Sequence, residues 1–354
     1  MVQEEAAPPE DQGGGSPQSA PWNPFSRPAR GDAPMFHVEP SVAAPTGDAM
    51  THVEASDAAA VLDGRGEADQ TAPGVEATPG AASAVRRFPT ARLLAVANQK
   101  GGVGKTTTAV SLAAALAERG AEVLLVDMDP QANASSGLGL RPADDQATIY
   151  HALVTDVAIT DVIVPTPYPG LSFVPSSIDL AGAEVELVSA FSREQRLKKA
   201  LATIQDRFDV VLIDCPPSLG LLTVNALTAA DGVIVPIQCE YYALEGLTAL
   251  RHNVELVRAN LNTGLDITGF VLTMLDGRTR LSRQVAEQVR AHFGERVFRS
   301  RIPRSVRLAE APSFAQPITV FDPSSRGAMA YRRLASELLT RLERQLASER
   351  SSGA

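Results

Sequence analysis

Eight consecutive residues, Lys100-Gly101-Gly102-Val103-Gly104-Lys105-Thr106-Thr107, combine two lysines, three glycines and two hydroxyls. Glycines let successive backbone amides turn toward one point, and a helix N-terminus behind them adds its positive end, so such a loop is a cradle for phosphate. Within it Lys105 would neutralise the β- and γ-phosphates of a nucleotide, and the Thr106 hydroxyl would ligate Mg²⁺. The ordinary pattern asks for glycine five residues before Gly104, where Gln99 stands; Lys100 follows it instead. The chain has only four lysines against 28 arginines, so two in one loop belong to the loop and not to the composition.

Three carboxylates extend the site. Val123-Leu124-Leu125-Val126-Asp127-Met128-Asp129-Pro130-Gln131 ends an apolar run with two acids one residue apart, and Val210-Val211-Leu212-Ile213-Asp214 ends another with one. An acid after a strand can cap the next turn. Three of them beyond the sheet edge that carries the phosphate loop fit a magnesium nucleotide better, with Asp214 in the place of a Walker-B carboxylate.

The elements that must position these groups alternate. Strands are predicted over Leu93–Ala97, Glu122–Val126, Asp209–Ile213, Gly232–Pro236, Ile267–Met274 and Val297–Phe298. Helices fall between them, over Lys105–Arg119, Leu221–Ala229, Leu244–Ala259 and Ser282–Phe293. Near-continuous apolar strands imply burial on both faces, hence an α/β fold with a mostly parallel sheet covered by helices on both sides. Ligands of such sheets bind beyond the carboxyl ends of the strands, where the motifs stand.

Residues 1–88 have another character. They are rich in Ala, Pro and Gly, as in Gln12-Gly13-Gly14-Gly15-Ser16-Pro17, and show no apolar period, which predicts a disordered segment. Thirteen acids and five bases give them nearly all of the chain's net charge of −9, so the folded remainder is almost neutral. The pieces Met35-Phe36-His37-Val38-Glu39 and Met50-Thr51-His52-Val53-Glu54 resemble one another, as a short binding motif used twice would or, the reading preferred, as chance allows in a biased segment. The domain is expected over residues 89–347, followed by a polar tail over 348–354. No charged-then-apolar leader and no run of about 18 apolar residues occurs, which predicts a cytoplasmic protein outside the membrane. Two cysteines, Cys215 and Cys239, fit a reducing compartment and no disulfide framework.

Over about Arg92 to Leu346 the chain resembles the ParA/Soj chromosome-partitioning ATPases, which are P-loop proteins of the deviant Walker A type. The resemblance rests on the phosphate loop, on Asp127-Met128-Asp129-Pro130-Gln131 with Ala132 to Gly139, and on Pro175 to Glu184, Thr273 to Thr279 and Ile302 to Ser313. It implies an ATP-sandwich homodimer in which Lys100 reaches the partner's phosphates, comparable to an arginine finger. Gly101 would let the two loops approach. Asp127 would lie near the Mg²⁺ shell, Asp129 would position the attacking water, and Pro303 and Arg304 would contact the base. The resemblance also implies double-stranded DNA bound without sequence preference through Arg278 and Arg307, a nucleoid-associated location, and a ParB-type partner that triggers hydrolysis. Nine arginines against four acids between Asp276 and Glu310 agree with an anionic partner.

Three related classes fit less well. Membrane-bound division-site relatives end in an amphipathic anchor, whereas this chain ends Gln345-Leu346-Ala347-Ser348-Glu349-Arg350-Ser351-Ser352-Gly353-Ala354. Leu334, Leu338 and Leu342 are spaced to pack on the core. Nitrogenase-reductase relatives hold a cluster on two cysteines per subunit, but Cys215 directly follows Asp214 and Cys239 follows another strand. Amide-forming ligases share the loop and differ in requiring a small acid for turnover.

Overall fold

The computed structural model describes residues 87–240 and 245–352, all within one unit. The expected disordered segment lies outside the described residues except for Arg87 and Phe88. Phe88 is buried, and the amides of both residues donate to Asp209 Oδ1, at 2.7 and 3.4 Å. The folded part therefore begins at least two residues before 89.

Eight strands form one sheet: β1 (Arg92–Val96), β2 (Val123–Asp127), β3 (Val164–Pro165), β4 (Leu171–Val174), β5 (Val210–Asp214), β6 (Gly232–Gln238), β7 (Asp266–Leu275) and β8 (Val297–Pro303). Their order is β3-β4-β2-β5-β1-β6-β7-β8, parallel throughout except for β3 against β4. Alternation explains the apolar runs. Leu93 and Ala95 of β1 enter one core, Leu94 and Val96 the other; β2 and β5 divide likewise. Leu93 to Val96, Val123 to Val126 and Val210 to Ile213 are thus apolar at every position because each face meets helices.

One face is covered by α1 (Lys105–Ala117) and α12 (Arg326–Ser352). On the other lie α3 (Ile149–Val154), α5 (Leu180–Glu186), α6 (Arg196–Ala202), α7 (Leu221–Ala229), α8 (Glu245–Asn260) and α9 (Arg280–Phe293). Short helices α2 (Asn133–Gly137), α4 (Ile159–Val162), α10 (Val306–Glu310) and α11 (Ile318–Phe321) complete the set. Alanine dominates α1, which lets it sit between the sheet and α12, and its Thr108 hydroxyl bonds the buried Tyr331 hydroxyl at 3.2 Å. Leu334, Leu338 and Leu342 are buried as their spacing requires. Arg341 lies over the Phe298 ring, 4.0 Å from its centre, and donates to the carbonyls of Thr268, Glu295, Arg296 and Val297. A Cβ on Gly269 would come within 2.6 Å of that guanidinium, so glycine makes the room.

Two expectations change. The sequence pattern shows no strand between Val126 and Asp209, yet β3 and β4 lie there; Leu171-Ser172-Phe173-Val174 is too short to show a period, and pairing with β2 makes it a strand. Residues 348–352, expected as tail, continue α12, and Glu349 takes the Arg92 guanidinium at 2.6 and 3.2 Å.

Candidate nucleotide site

β1 lies between β5 and β6, where the chain crosses from one half of the sheet to the other, and the phosphate loop leaves from its carboxyl end. Side chains outside the motif shape the loop. Asn98 donates to the Pro236 carbonyl at 2.7 Å and accepts from the Lys100 amide at 3.0 Å; Thr273 donates its hydroxyl to the Val103 carbonyl at 2.8 Å. Val103 is buried beneath the loop. Gly102 and Gly104 have φ of +72° and +87°, a region that L side chains avoid. Gly104 caps α1, whose first turn has no side-chain cap and no acid, so its amides are left to a ligand.

Those amides open on a cavity of about 460 Å³. Gly101, Gly102, Gly104, Lys105, Thr106, Thr107 and Asp129 form its polar end, and Leu308, Ala311, Pro312, Pro317 and Ile318 an apolar wall. Lys105 is buried, with Nζ 3.5 Å from the Lys100 carbonyl. Burial lowers its pKa, against the attraction of Asp214 and Asp129.

The three acids are brought together but do different things. Asp127 and Asp214 are opposite one another on β2 and β5, both fully buried. Asp127 accepts from the Ser135 amide at 3.0 Å, the Ser135 hydroxyl at 2.9 Å and the Asp129 amide at 3.1 Å. Burial raises its pKa to about 6 despite those bonds. Asp214 has no hydrogen-bond partner on either oxygen; burial and then the nearby Asp127 hold its pKa well above the usual range, while the Thr106 hydroxyl faces it without completing a bond. Asp129 lines the cavity and accepts from the Gln131 amide at 3.0 Å. A buried carboxylate without a partner is costly unless something cationic completes it. Among the described residues no three His, Cys, Asp or Glu could hold a metal by themselves. A site of one hydroxyl and one carboxylate, finished by phosphates and water, is what Mg²⁺ accepts. Thr106 and Asp214 fit that ion; Asp127, spent on Ser135, organises the loop around it.

The other candidates fall elsewhere. Lys100 is half-exposed outside the cavity, with Nζ 4.0 Å from Glu240. A Cβ on Gly101 would meet nothing within 4 Å in this chain. Pro303 ends β8, Arg304 follows it, and neither lines the cavity; the segment that follows them does, so the apolar wall comes from Leu308 to Ile318. Its Pro and Ala signal is legible in the sequence, but its direction depends on α11 packing against α1. Arg278 is clamped by Asp276, Nε–Oδ1 3.0 Å and Nη2–Oδ2 2.9 Å, which holds that carboxyl at about 2. Arg307 pairs with Glu310 at 3.1 Å and Asp322 at 3.4 Å. Both cysteines are buried, which pushes the Cys239 thiol up to about 11 and the Cys215 thiol further. Asn98 escapes sequence reasoning, and Ser135 and Thr273 stand in segments that carry the resemblance but are given no role there, since single polar residues beside strands carry no spacing signal.

This arrangement defines a P-loop ATPase with a lysine ahead of its glycines. The family described as AAA domain matches residues 91–267. Soj, the sporulation initiation inhibitor protein of Bacillus subtilis, is 55% identical over 247 residues, covering 70% of this chain and 98% of Soj. The chromosome partitioning protein ParA of Myxococcus xanthus is 52% identical over 250 residues, covering 71% and 88%. A crystal structure of cobyrinic acid a,c-diamide synthase from Mycobacterium smegmatis with bound ADP and magnesium is 43% identical, covers 70% of this chain and 94% of its own, and superposes with a TM-score of 0.62. The chain belongs to the ParA/Soj family of chromosome-partitioning ATPases.

Proposed function

We propose that the chain binds ATP with Mg²⁺ in the cavity on α1 and uses its hydrolysis to switch a homodimer on and off DNA. The observation that carries this reading is Asp214, buried and unpartnered beside Lys105 and Thr106 where the triphosphate and its cation would complete it. The α1 amides and Lys105 hold the β- and γ-phosphates. Thr106 and Asp214 would hold the cation, which when bound would offset negative charge on the phosphate oxygens. Asp129 orients water for attack on the γ-phosphorus.

Lys100 acts in the partner's site. In its own chain it lies outside the cavity against Glu240, and the open space around Gly101 gives a second loop room to approach. The ATP dimer binds duplex DNA of any sequence, as two linked copies of a weak basic surface bind more tightly than one. A ParB-type partner stimulates hydrolysis and releases it, which places the protein at the nucleoid. Among the described residues no helix is long and apolar enough to cross a membrane.

The name of the Mycobacterium smegmatis structure favours a second reading, an amide-forming ligase. A ligase that drew ammonia from glutamine with its own thiolate would need an accessible one, and the chain's two cysteines are buried and held protonated. ATP hydrolysis measured with and without random-sequence duplex DNA and a ParB-type partner separates the readings. Slow turnover, stimulated when both are present, supports the switch. Turnover indifferent to both, but dependent on a small carboxylic acid and a nitrogen donor, establishes the ligase.

A further inference from the structure

Asp129 has to aim its carboxylate into the cavity from a turn that is not at rest. Residues 129–132 close on the Ala132 amide, which donates to the Asp129 carbonyl at 2.8 Å, and Ala132 leaves the turn at φ +50°. A residue with a Cβ keeps that left-handed conformation only where its surroundings impose it. Here the surroundings are two clamps on one carboxylate. Ahead of the turn, Asp127 Oδ1 accepts from the Asp129 amide at 3.1 Å. After it, Asp127 Oδ2 accepts from the amide and the hydroxyl of Ser135 at 3.0 and 2.9 Å. Asp127 therefore pins both ends of the turn that carries Asp129.

Ser135 fixes Asp127 in its place. Its hydroxyl has one proton, which goes to Asp127, and it accepts from the Ser176 amide at 3.2 Å. Ser176 follows β4, whose Val174 is paired with Val126 of β2, so this one oxygen ties α2 to the ends of two neighbouring strands. Asp127, Ser135 and Ser176 are all fully buried, where hydrogen bonds are not diluted by water. Asn133, Ser136 and Gly137 of the same short helix line the cavity, and Ser135 does not. Any effect of Ser135 on hydrolysis must then pass through the turn and not through contact with the nucleotide.

We propose that Ser135 is a positioning residue for ATP hydrolysis, holding the Asp129 backbone through Asp127 so that the Asp129 carboxylate meets the attacking water. The inference rests on the role given to Asp129 above. Without the hydroxyl, Asp127 keeps the Ser135 amide but loses a donor, and the Ser176 amide loses its acceptor inside the core, so both clamps are free to shift. A displacement of about 1 Å at a reacting group costs on the order of 10²-fold in rate. The α1 amides and Lys105, which hold the phosphates, are untouched, so the loss falls on the chemical step and not on binding.

The test uses the full chain. It combines single-turnover hydrolysis of radiolabelled Mg-ATP by excess protein, ATP affinity by calorimetry, and amide exchange of segment 128–136 in the nucleotide-free protein. Ser135→Ala should slow hydrolysis by about tenfold or more, keep ATP affinity within about twofold of wild type, and speed exchange of the segment by at least about tenfold. In an Asp129→Ala background the same substitution should slow hydrolysis by less than about twofold further, because the group it positions is gone; a merely structural residue would cost as much there as in wild type. Ser135→Cys fills the same space with a weak donor and should hydrolyse at a rate between wild type and Ser135→Ala; it carries the same comparison where the alanine variant does not fold. Wild-type hydrolysis by the folded variant, a full additional loss in the Asp129→Ala background, or a fall in ATP affinity that accounts for the lost rate would each overturn the assignment. Normal hydrolysis by Asp129→Ala alone would instead remove the role of Asp129, and with it the reason to position that residue.

Discussion

The nucleotide site and the arginine-rich surface of α9 and the end of β8 both concentrate charge, and they do so under opposite physical conditions. In the nucleotide site four ionisable side chains, Lys105, Asp127, Asp129 and Asp214, are buried within one sheet edge, and one of them has no hydrogen-bond partner. On the arginine-rich surface Arg280, Arg283, Arg301 and Arg304 are in contact with water. Buried charges interact strongly and are costly when left unmatched, so each is individually indispensable. Exposed ones are screened and add up, so each is individually modest. Catalysis needs the first arrangement and a travelling, sequence-blind grip needs the second.

The largest effect separating the two regions should come from Lys105→Ala. Removing the buried ammonium leaves phosphates and two carboxylates unneutralised, and ATP affinity by titration calorimetry should fall on the order of 10³-fold with turnover abolished. Retention of tight ATP binding would mean that the buried charge is not individually indispensable. Asp129→Ala should next lower kcat by about 10²-fold or more while ATP stays bound, because the group orienting water is lost and the phosphate cradle is not. A variant unable to bind ATP would move Asp129 from chemistry to architecture.

Lys100→Ala should lie between the regions, since this lysine is half-exposed in its own chain and acts across an interface. Sedimentation with Mg-ATP should show monomer where wild type dimerises, with monomeric ATP binding unchanged. Normal dimerisation and hydrolysis would contradict the role in trans.

A smaller, thermal effect belongs to the paired carboxylates. Their folded pKa values are raised, Asp127 to about 6 and Asp214 in the same direction, so the contribution they make to stability is complete below the unfolded carboxylate range and is lost as pH rises, that of Asp127 through about 6. The nucleotide-free protein should therefore melt lower at pH 7.5 than at pH 5 on this account. Asp214→Asn should flatten that dependence and raise Tm at pH 7.5 by about 2–4 °C, the scale of roughly 1 kcal/mol in a domain of this size. It should also abolish turnover. An unchanged pH profile by differential scanning calorimetry would show that burial of Asp214 stores no such energy. The smallest effect should be that of Arg278→Glu on DNA affinity, about threefold or less at 150 mM salt, since Asp276 already cancels that charge. A loss as large as that caused by Arg283→Glu would erase the distinction between clamped and free arginines.

The sequence determined the class of fold and the chemistry of the loop. Strand and helix periods are local, and runs such as Val210 to Ile213 can be uniformly apolar only where helices cover both faces of a sheet. The glycines and lysines of the phosphate loop act within eight neighbouring residues, so their spacing alone specifies a phosphate cradle. Tertiary structure decided which candidates are free to act. Asp127 and Asp214 look equivalent in sequence, each an acid after a Val/Leu/Ile run, but Ser135 on a different element satisfies the first and nothing satisfies the second. Arg278 and Arg283 are both exposed arginines five residues apart, and only the position of the Asp276 carboxylate makes one a closed pair and the other an open charge. The extra turn of α12 likewise depended on Arg92, 257 residues from its partner Glu349. Hydrogen bonds and ion pairs are satisfied by groups that are near in space, and nearness across elements is set by packing, which no local pattern encodes.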